Sequence, residues 1–373
     1  MPFCHAPWTN LDISPQGEIG PCCKFRHEHY APPLDIRQAG IADYLRSDTL
    51  IEIKRDFEQG RWPAGCERCR LEESHGLPSK RIMDHDRWRE HYDGLQPGQH
   101  RFLTASIAFG NTCNLTCITC GPYSSSRWNR EHQVLFGTGI EPNHFYKQDF
   151  AEEVIGSMPD LVHLDIPGGE PFLSGTEQQK QLLSRYADRS HEIGLHYTTN
   201  ATVFPDDDWW NLWKGFREID LQISLDAIGD RLEYIRYPAK WLDIVTNIQK
   251  YQERMQRLQN FRMSVSITVS AYNVAYLAEL MDWCEQSALP TPWLGRVHAP
   301  LHMRPTIWPE PARQFICDRL AKSRHEALRS WSAMIACEDD SGHFETFKQM
   351  MIKHDQFRGT DFVRTFPEMS RFL

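Results

Sequence analysis

The chain has 373 residues, of which 40% are hydrophobic and 24% charged, a balance that argues against disordered and fibrous classes of protein. Its formal net charge of −9 argues against broad binding to nucleic acid or to an anionic membrane, which requires a basic surface. The mean hydropathy is −0.55 and we find neither a long apolar run nor an export signal, so we expect a cytoplasmic protein without a membrane-spanning helix.

Residues 1–77 are predicted to form a small domain made of a hairpin and a helix. Residues 8–13 and 18–22 alternate loosely between apolar and polar side chains and flank a Ser-Pro-Gln-Gly turn. Apolar residues at roughly helical spacing between positions 41 and 57 indicate the helix.

Several cysteines lie in this N-terminal segment. The chain has eleven cysteines, and because the cytosol keeps thiols reduced, this number indicates metal or redox chemistry rather than disulfides. Cys4 and Cys22 flank the hairpin, and Cys66-x-x-Cys69 follows the helix. Four thiolates of this kind can enclose a zinc ion or an iron–sulfur cluster, and their spacing leaves both open.

Residues 78–100 are predicted to form a linker, with a polar helix over residues 78–92 and a break at Pro97-Gly98. From residue 101 to 305 the pattern alternates between strands and helices. This alternation predicts parallel βαβ units, and both an open sheet and an incomplete barrel fit it. The strand candidates are 102–109, 161–166, 194–199, 219–225, 263–270 and 293–298, and the helix candidates are 150–158, 176–190, 206–216, 241–258 and 275–287. Residues 306–373 are predicted to form a helical extension that begins with one segment running from Pro309 to about Trp331.

Three cysteines, Cys113, Cys117 and Cys120, follow the first of these strands directly. The loop therefore lies at the carboxyl edge of the sheet, where α/β folds place their active sites. Spacings of four and three residues let a short loop hold three irons of a cubic cluster and leave the fourth iron open to a ligand. A zinc site or three unrelated buried cysteines are the alternatives, although zinc normally has four ligands in paired motifs.

This cysteine loop resembles the defining motif of the radical S-adenosylmethionine superfamily. The resemblance implies a partial (βα)6 TIM-like barrel, a [4Fe-4S] cluster on the three cysteines, and S-adenosyl-L-methionine bound at the open iron. It also implies reductive cleavage of that cofactor to a 5′-deoxyadenosyl radical, with electrons from a flavodoxin- or ferredoxin-type reductant. One departure is Thr119, where many relatives have an aromatic residue.

Further segments of the barrel resemble cofactor-binding segments of the same superfamily. The run Gly168-Gly169-Glu170-Pro171 is similar to the segment that contacts the amino group of the cofactor methionine. Two glycines allow close approach of the backbone to a ligand, and a carboxylate suits an ammonium group. By the same resemblance, cofactor-binding roles fall on Asn200, Ser224 and Asp226 near the ends of later strands, and on Arg236, ten residues beyond Asp226.

The N-terminal cysteines resemble the twitch module, a short form of the SPASM domain, which holds an auxiliary [4Fe-4S] cluster. The pattern Gly17-x4-Cys22 favours Cys22 over the adjacent Cys23 as a ligand. In most relatives this module follows the barrel, whereas here it precedes it.

The resemblance implies an enzyme of oxidoreductase or epimerase type. Twitch and SPASM relatives include many enzymes that modify ribosomally made peptides, and others that oxidise or epimerise sugars and cyclitols. We expect a peptide substrate, and a sugar, cyclitol or other small molecule is the alternative. A third, less favoured hypothesis is a non-catalytic iron–sulfur protein. A peptide substrate would call for a separate leader-peptide-binding protein as partner.

Four cysteines are left over after the two ligand sets. Cys284 shares an apolar helical face and is predicted to belong to the core, and Cys317 is ambiguous. Cys337 follows a helix and precedes Glu-Asp-Asp-Ser-Gly, where no periodic pattern explains a buried residue. We therefore name Cys337 as the candidate catalytic thiol, which would return a hydrogen atom to a substrate radical.

Overall fold

The computed structural model describes residues 2–74, 76, 78–92, 95, 99–140 and 147–373. The predicted Pro97-Gly98 break lies outside these residues. The chain divides into two compact units, the first made of Met1–Cys113, Pro142–Tyr197 and Pro205–Asp220. The second is made of Asn114–Glu141, Thr198–Phe204 and Leu221–Leu373.

The strands, in chain order, are β1 (Asn10–Ile13), β2 (Ile19–Gly20), β3 (Thr104–Ile107), β4 (His163–Ile166), β5 (Gly194–Thr199), β6 (Glu218–Ser224), β7 (Phe261–Val269) and β8 (Trp293–Arg296). The helices are α1 (Ala6–Thr9), α2 (Ile41–Leu45), α3 (Asp48–Glu58), α4 (Glu67–Ser74), α5 (Lys80–Tyr92), α6 (Trp128–Phe136), α7 (Phe150–Ser157), α8 (Thr176–Arg185), α9 (Asp207–Trp213), α10 (Gly229–Ile235), α11 (Trp241–Arg257), α12 (Leu277–Gln286), α13 (Glu310–Ala321), α14 (Glu326–Cys337), α15 (Phe344–Arg358), α16 (Phe362–Thr365) and α17 (Pro367–Ser370).

In the first unit the predicted N-terminal hairpin is present and joins the parallel sheet. Strands β1 and β2 pair antiparallel, while β1 pairs in parallel with β3, β3 with β4, and β4 with β5. The strand order within this unit is β2-β1-β3-β4-β5-β6. The hairpin therefore extends the edge of the sheet instead of forming a separate layer.

In the second unit the carboxyl ends of β5 and β6 continue the sheet in the order β5-β6-β7-β8, and β7 pairs in parallel with β8. From β3 to β8 the order thus follows the chain, with a helix after each strand. A doubly wound sheet reverses its order at a switch point, whereas a (βα) barrel keeps it. The predicted α/β fold class, a partial TIM-like barrel with a helical C-terminal extension, is confirmed.

The helical extension differs in detail from its prediction. The single helix expected between Pro309 and Trp331 is two helices, α13 and α14, separated at residues 322–325. There the Ser323 side chain accepts a hydrogen bond from the amide of His325, a local turn that competes with continuation of the helix. The sequence also gave no signal that we recognised for α6 and α10.

Aromatic side chains form much of the core in each unit. In the first unit Trp209, Trp210 and Trp213 are all buried. In the second unit Tyr272 and Trp308 pack against Phe347 and Phe362 of the extension. The extension is therefore part of the core of its unit. Within the described parts of the chain, every helix is too short or too polar to cross a bilayer.

Candidate iron–sulfur and cofactor sites

The glycine run after β4 packs against the backbone that leads into Cys113. The amide of Glu170 donates to the carbonyl oxygen of Thr112 at 2.8 Å, and Glu170 is fully buried. A Cβ atom on Gly169 would lie 2.2 Å from the Thr112 oxygen, and Gly168 has a φ of +110°. Both positions therefore require glycine, because this contact leaves no space for a side chain. The predicted residues Gly168–Pro171 and Cys113 belong to one local arrangement within the first unit.

The rest of the cysteine loop, in the second unit, is fastened to the segment after α10. The amide of Thr116 donates to the carbonyl of Tyr237 at 2.6 Å, and the amide of Ile118 donates to the carbonyl of Ile235 at 2.7 Å. The amide of Cys120 donates to the carbonyl of Cys117 at 2.9 Å and closes a turn. We call the two Thr116–Tyr237 and Ile118–Ile235 bonds the loop strap. The strap fixes where Cys117 lies relative to residue 236.

Arg236 joins the cysteine loop to a carboxylate. Its Nη1 lies 3.8 Å from the Cys117 sulfur, and its Nη2 lies 2.9 Å from Oδ2 of Asp226. Burial alone would lower the pKa of Arg236, but the charges of Asp226 and Cys117 outweigh burial and raise the pKa above its ordinary value. The guanidinium is therefore a permanent cation beside a cluster-ligand candidate.

The two other predicted cofactor residues of this unit lie at strand ends. Ser224 is the last residue of β6, two positions before Asp226. Asn200 follows β5, and its amide donates to the side-chain oxygen of Asn114 in the cysteine loop at 3.1 Å. Within the second unit the structure thus brings together Cys117, Asp226 and Arg236, and links Asn200 to the same loop.

The chemistry of these residues fits the cofactor that the sequence implies. The Nε of Arg236 is buried without a hydrogen-bond partner among the described residues. Buried donors are nearly always paired, so a carboxylate ligand would satisfy an atom that the protein leaves open. Asp226 is held in place because its Oδ1 accepts from the amide of Thr268 at 2.8 Å.

The four N-terminal cysteines gather on one small core. Trp8, Phe25, Ile53 and Phe57 form a buried cluster, and against it pack three of the thiol residues, Cys4, Cys22 and Cys66. Cys69 is itself buried, and it interacts electrostatically with Cys4 and Cys66. The four predicted ligands are therefore neighbours around an apolar centre.

Burial makes these thiols hard to ionise in the protein alone. It raises the pKa of Cys4 to about 12, and the nearby Cys69 thiol adds to the rise. Burial also raises the pKa of Cys22 and of Cys66 well above the ordinary value, with Cys4 contributing to both. Thiolates crowded in an apolar site require cationic compensation, which iron or zinc supplies. The donor set fits an all-cysteine metal centre.

A row of polar side chains crosses the sheet of the first unit, and it was not predicted from the sequence. The strand register places Asp12 of β1 beside Ser106 of β3, Ser106 beside Asp165 of β4, and Asp165 beside His196 of β5. The row continues to β6, where Asp220 lies 3.0 Å from Nδ1 of His196. We call these five residues the polar row.

Charges within the polar row are partly compensated. Burial raises the pKa of Asp12 to about 7, against the influence of Ser106 and of Lys80 on α5. Burial acts in the same direction on Asp165, but His163, His196 and Lys80 outweigh it and lower its pKa well below the usual range. Of these two carboxyl groups, Asp165 is firmly ionised and Asp12 can exchange a proton near neutral pH.

A sequence signal for the polar row exists in strands β5 and β6. Parallel strands buried on both faces are continuously apolar. Here Leu195 and Tyr197 are buried while His196 between them is half-buried, and β6 alternates in the same way. Such alternation in a parallel strand indicates that one face lines a polar space.

The leftover cysteines lie in different environments. Cys284 is buried in α12, which confirms its predicted place in the core, and Cys317 is buried in α13. Cys337 is exposed and ends α14. The next residue, Glu338, accepts a hydrogen bond from Nη1 of Arg296 at 2.9 Å, so Cys337 lies close to the carboxyl end of β8.

Comparisons with known proteins agree with the N-terminal part of this description. Residues 4–70 match the SPASM family, described as an iron–sulfur cluster-binding domain. The match covers the four N-terminal cysteines and confirms the predicted SPASM-like iron–sulfur module. No curated protein matches the sequence.

Solved structures give low-identity matches. Native anSMEcpe with bound AdoMet is 15% identical, with a TM-score of 0.44, over 58% of this chain and 59% of that chain. Streptococcus suis SuiB bound to S-adenosylmethionine is 15% identical, with a TM-score of 0.39, over 77% of this chain and 61% of that chain. The matched part thus spans 59% to 61% of the length of these structures.

Gly65, which precedes Cys66, offers a test of the N-terminal site. A Cβ atom there would lie 2.4 Å from the Phe25 ring and 2.5 Å from the Arg26 carbonyl oxygen, so Gly65→Ala must displace the Cys66 backbone. We expect this variant to lose the N-terminal metal and to retain about half of the reconstituted iron of the wild type. Iron analysis after anaerobic reconstitution provides the measurement. Gly156→Ala, where an added Cβ has no neighbour within 4 Å, is the matched control and should keep all the iron.

Proposed function

We propose that this protein is a radical S-adenosylmethionine enzyme with two [4Fe-4S] clusters, one on Cys113, Cys117 and Cys120 and one on Cys4, Cys22, Cys66 and Cys69. The observation that carries the proposal is the position of Arg236, 3.8 Å from the Cys117 sulfur and 2.9 Å from Asp226. A cation paired with a carboxylate beside a three-cysteine loop is an arrangement for a zwitterionic cofactor. When bound, the cluster and S-adenosylmethionine would supply a 5′-deoxyadenosyl radical that abstracts a hydrogen atom from the substrate.

Each residue of the site then has a defined task. Cys113, Cys117 and Cys120 hold three irons, and Arg236 binds the carboxylate of the cofactor. Gly168, Gly169, Glu170 and Pro171 provide a close backbone approach and a carboxylate for the cofactor ammonium, and Asn200, Ser224 and Asp226 orient the remaining polar groups.

Replacing Cys113, Cys117 and Cys120 together by Ala tests the first cluster. We expect the iron content to fall from about eight to about four atoms per chain, because only the N-terminal cluster is retained. Dithionite-dependent formation of 5′-deoxyadenosine should be abolished. Metal analysis of anaerobically purified wild type is the control, and zinc in place of iron at the N-terminal site would contradict the second cluster.

Conservative variants of Arg236 and Glu170 test cofactor binding separately from cluster assembly. Arg236→Lys keeps a cation but loses the fork that bridges Asp226 and a ligand, and Glu170→Gln removes the carboxylate. We expect each to weaken S-adenosylmethionine binding about tenfold or more while the absorbance of the clusters is unchanged. Equilibrium binding to the reconstituted enzyme is the measurement. Wild-type affinity in both variants would show that these residues do not bind the cofactor.

For the substrate we propose a ribosomally made peptide. Support comes from the SPASM match, because the resemblance implies that many relatives with this module modify peptides. The polar row supports a substrate with hydrogen-bonding groups, since it offers carboxylate, hydroxyl and imidazole side chains side by side. A sugar or cyclitol has the same chemistry, and assays with both classes would distinguish them. A flavodoxin- or ferredoxin-type reductant and a separate leader-peptide-binding protein complete the proposed set of partners.

Cys337 remains the proposed hydrogen-atom donor. It is exposed next to Glu338, which pairs with Arg296 at the end of β8, so its thiol is accessible near a carboxyl strand end. An epimerase that uses this thiol should incorporate one solvent deuterium per turnover in deuterated water, and Cys337→Ala should form no epimerised product. The assay uses mass spectrometry of the product. If wild type incorporates no solvent deuterium and the variant forms the same product, the reaction is a dehydrogenation or bond formation instead.

A further inference from the structure

A buried ion pair with a neighbouring histidine, together called the triad, links the C-terminal extension to the helix that follows the cysteine loop. Glu131 of α6 accepts hydrogen bonds from Nε of Arg358 at 2.8 and 3.1 Å, and its Oε1 lies 2.7 Å from Nδ1 of His354. All three residues are buried, with Glu131 only 2% exposed. Both basic residues belong to α15, a helix to which neither the sequence nor the comparisons assign a role.

Besides its contact with Glu131, Arg358 also contacts the cysteine loop itself. Its Nη2 donates to the carbonyl oxygen of Thr116 at 2.8 Å, and Thr116 is the residue before Cys117. The next carbonyl, that of Cys117, accepts from the indole nitrogen of Trp128 at 2.9 Å. The Trp128 ring lies under the Arg358 guanidinium, 5.2 Å from it, and against the His354 ring. Two consecutive loop carbonyls are therefore fixed by one packed group of side chains.

The same guanidinium contacts the other side of the loop strap. The Tyr237 ring lies 5.4 Å from Arg358, and the Tyr237 carbonyl accepts from both the amide and the hydroxyl of Thr116. Tyr237 follows Arg236, whose guanidinium lies 3.8 Å from the Cys117 sulfur. Arg358 thus holds both segments that determine the distance between Cys117 and Arg236.

A buried ion pair such as that of Glu131 and Arg358 is a poor device for stability alone. Desolvation of the ions offsets most of their attraction, and apolar residues of the same volume often stabilise a core equally well. What an apolar replacement cannot do is donate to a carbonyl while stacking on two rings, which requires the planar guanidinium. The chemistry of the group therefore points to orientation of the loop.

We propose that Arg358, held by Glu131 and His354, is a positioning residue that sets the geometry of Cys117 against Arg236 and thereby tunes the cofactor-binding cluster. The inference rests on the proposed function, and it assigns a task to the C-terminal extension. Arg358 does not contact the cofactor; it acts through Thr116, Trp128 and Tyr237.

The test compares Arg358→Lys with wild type and with Arg364→Lys, an exposed arginine on α16. Lysine keeps the charge that balances Glu131 but lacks the planar fork that lets Arg358 bond Glu131 and the Thr116 carbonyl while it lies against two rings. A second variant, Glu131→Gln with Arg358→Met, removes both charges together and avoids an unpaired buried carboxylate. For each protein the measurements are iron content, the melting temperature, the EPR spectrum of the reduced enzyme with and without S-adenosylmethionine, and the rate of 5′-deoxyadenosine formation with dithionite.

We expect Arg358→Lys to retain its iron, to show an altered EPR response to S-adenosylmethionine, and to cleave the cofactor about tenfold more slowly or worse. The double variant should show the same altered response, and Arg364→Lys should match wild type. If the Arg358 variants have a lower melting temperature but unchanged EPR spectra and an unchanged rate of 5′-deoxyadenosine formation, the triad has only a structural role and the inference is wrong. If wild type itself shows no cofactor-dependent spectral change and no cleavage, the proposed function fails instead, so the two failures are distinguishable.

Discussion

Thiolates in a low-dielectric interior are costly unless a cation lies against them, and both candidate cluster sites are organised around this requirement. In the N-terminal module burial raises the pKa of Cys4, Cys22 and Cys66, and the charges of Arg81 near Cys4 and of Lys80 near Cys22 offset only part of that rise. At the barrel loop the protein supplies part of the compensation itself through Arg236 beside Cys117. The deep burial of the N-terminal thiols fits a closed structural or electron-transfer site, and the direct contact of Arg236 with the Cys117 sulfur fits an open, ligand-binding site.

Local features of the candidate sites were predictable from the sequence because their signals are local. The cysteine spacings, the Gly168–Pro171 run and the hairpin each occupy a few consecutive residues, so composition and spacing report them directly. The strand order was left open between a barrel and an open sheet, since alternating strands and helices fit both until the pairing is known.

Contacts between distant positions could not be predicted in the same way. Glu131 and Arg358 are 227 positions apart, and neither residue carries a motif. The polar row depends on the register of neighbouring strands, so Asp12 joins Ser106 and Asp165 only once β1 is known to pair with β3. A single helix was expected between residues 309 and 331 because its proline start was visible, whereas the turn at Ser323 depends on one side-chain hydrogen bond.

Because β1 pairs in parallel with β3, most of the N-terminal module lies within one long connection of the sheet. Residues 14–103, which contain three of the four cysteine ligands, form the crossover between two neighbouring parallel strands. Closing so long a connection costs entropy, which strand pairing and the apolar core of Trp8, Phe25, Ile53 and Phe57 help to offset, and a metal that gathers Cys22, Cys66 and Cys69 onto Cys4 would shorten the free part of that loop. Because such a site scarcely exists in an unfolded chain, metal binding and folding of the module are one coupled process.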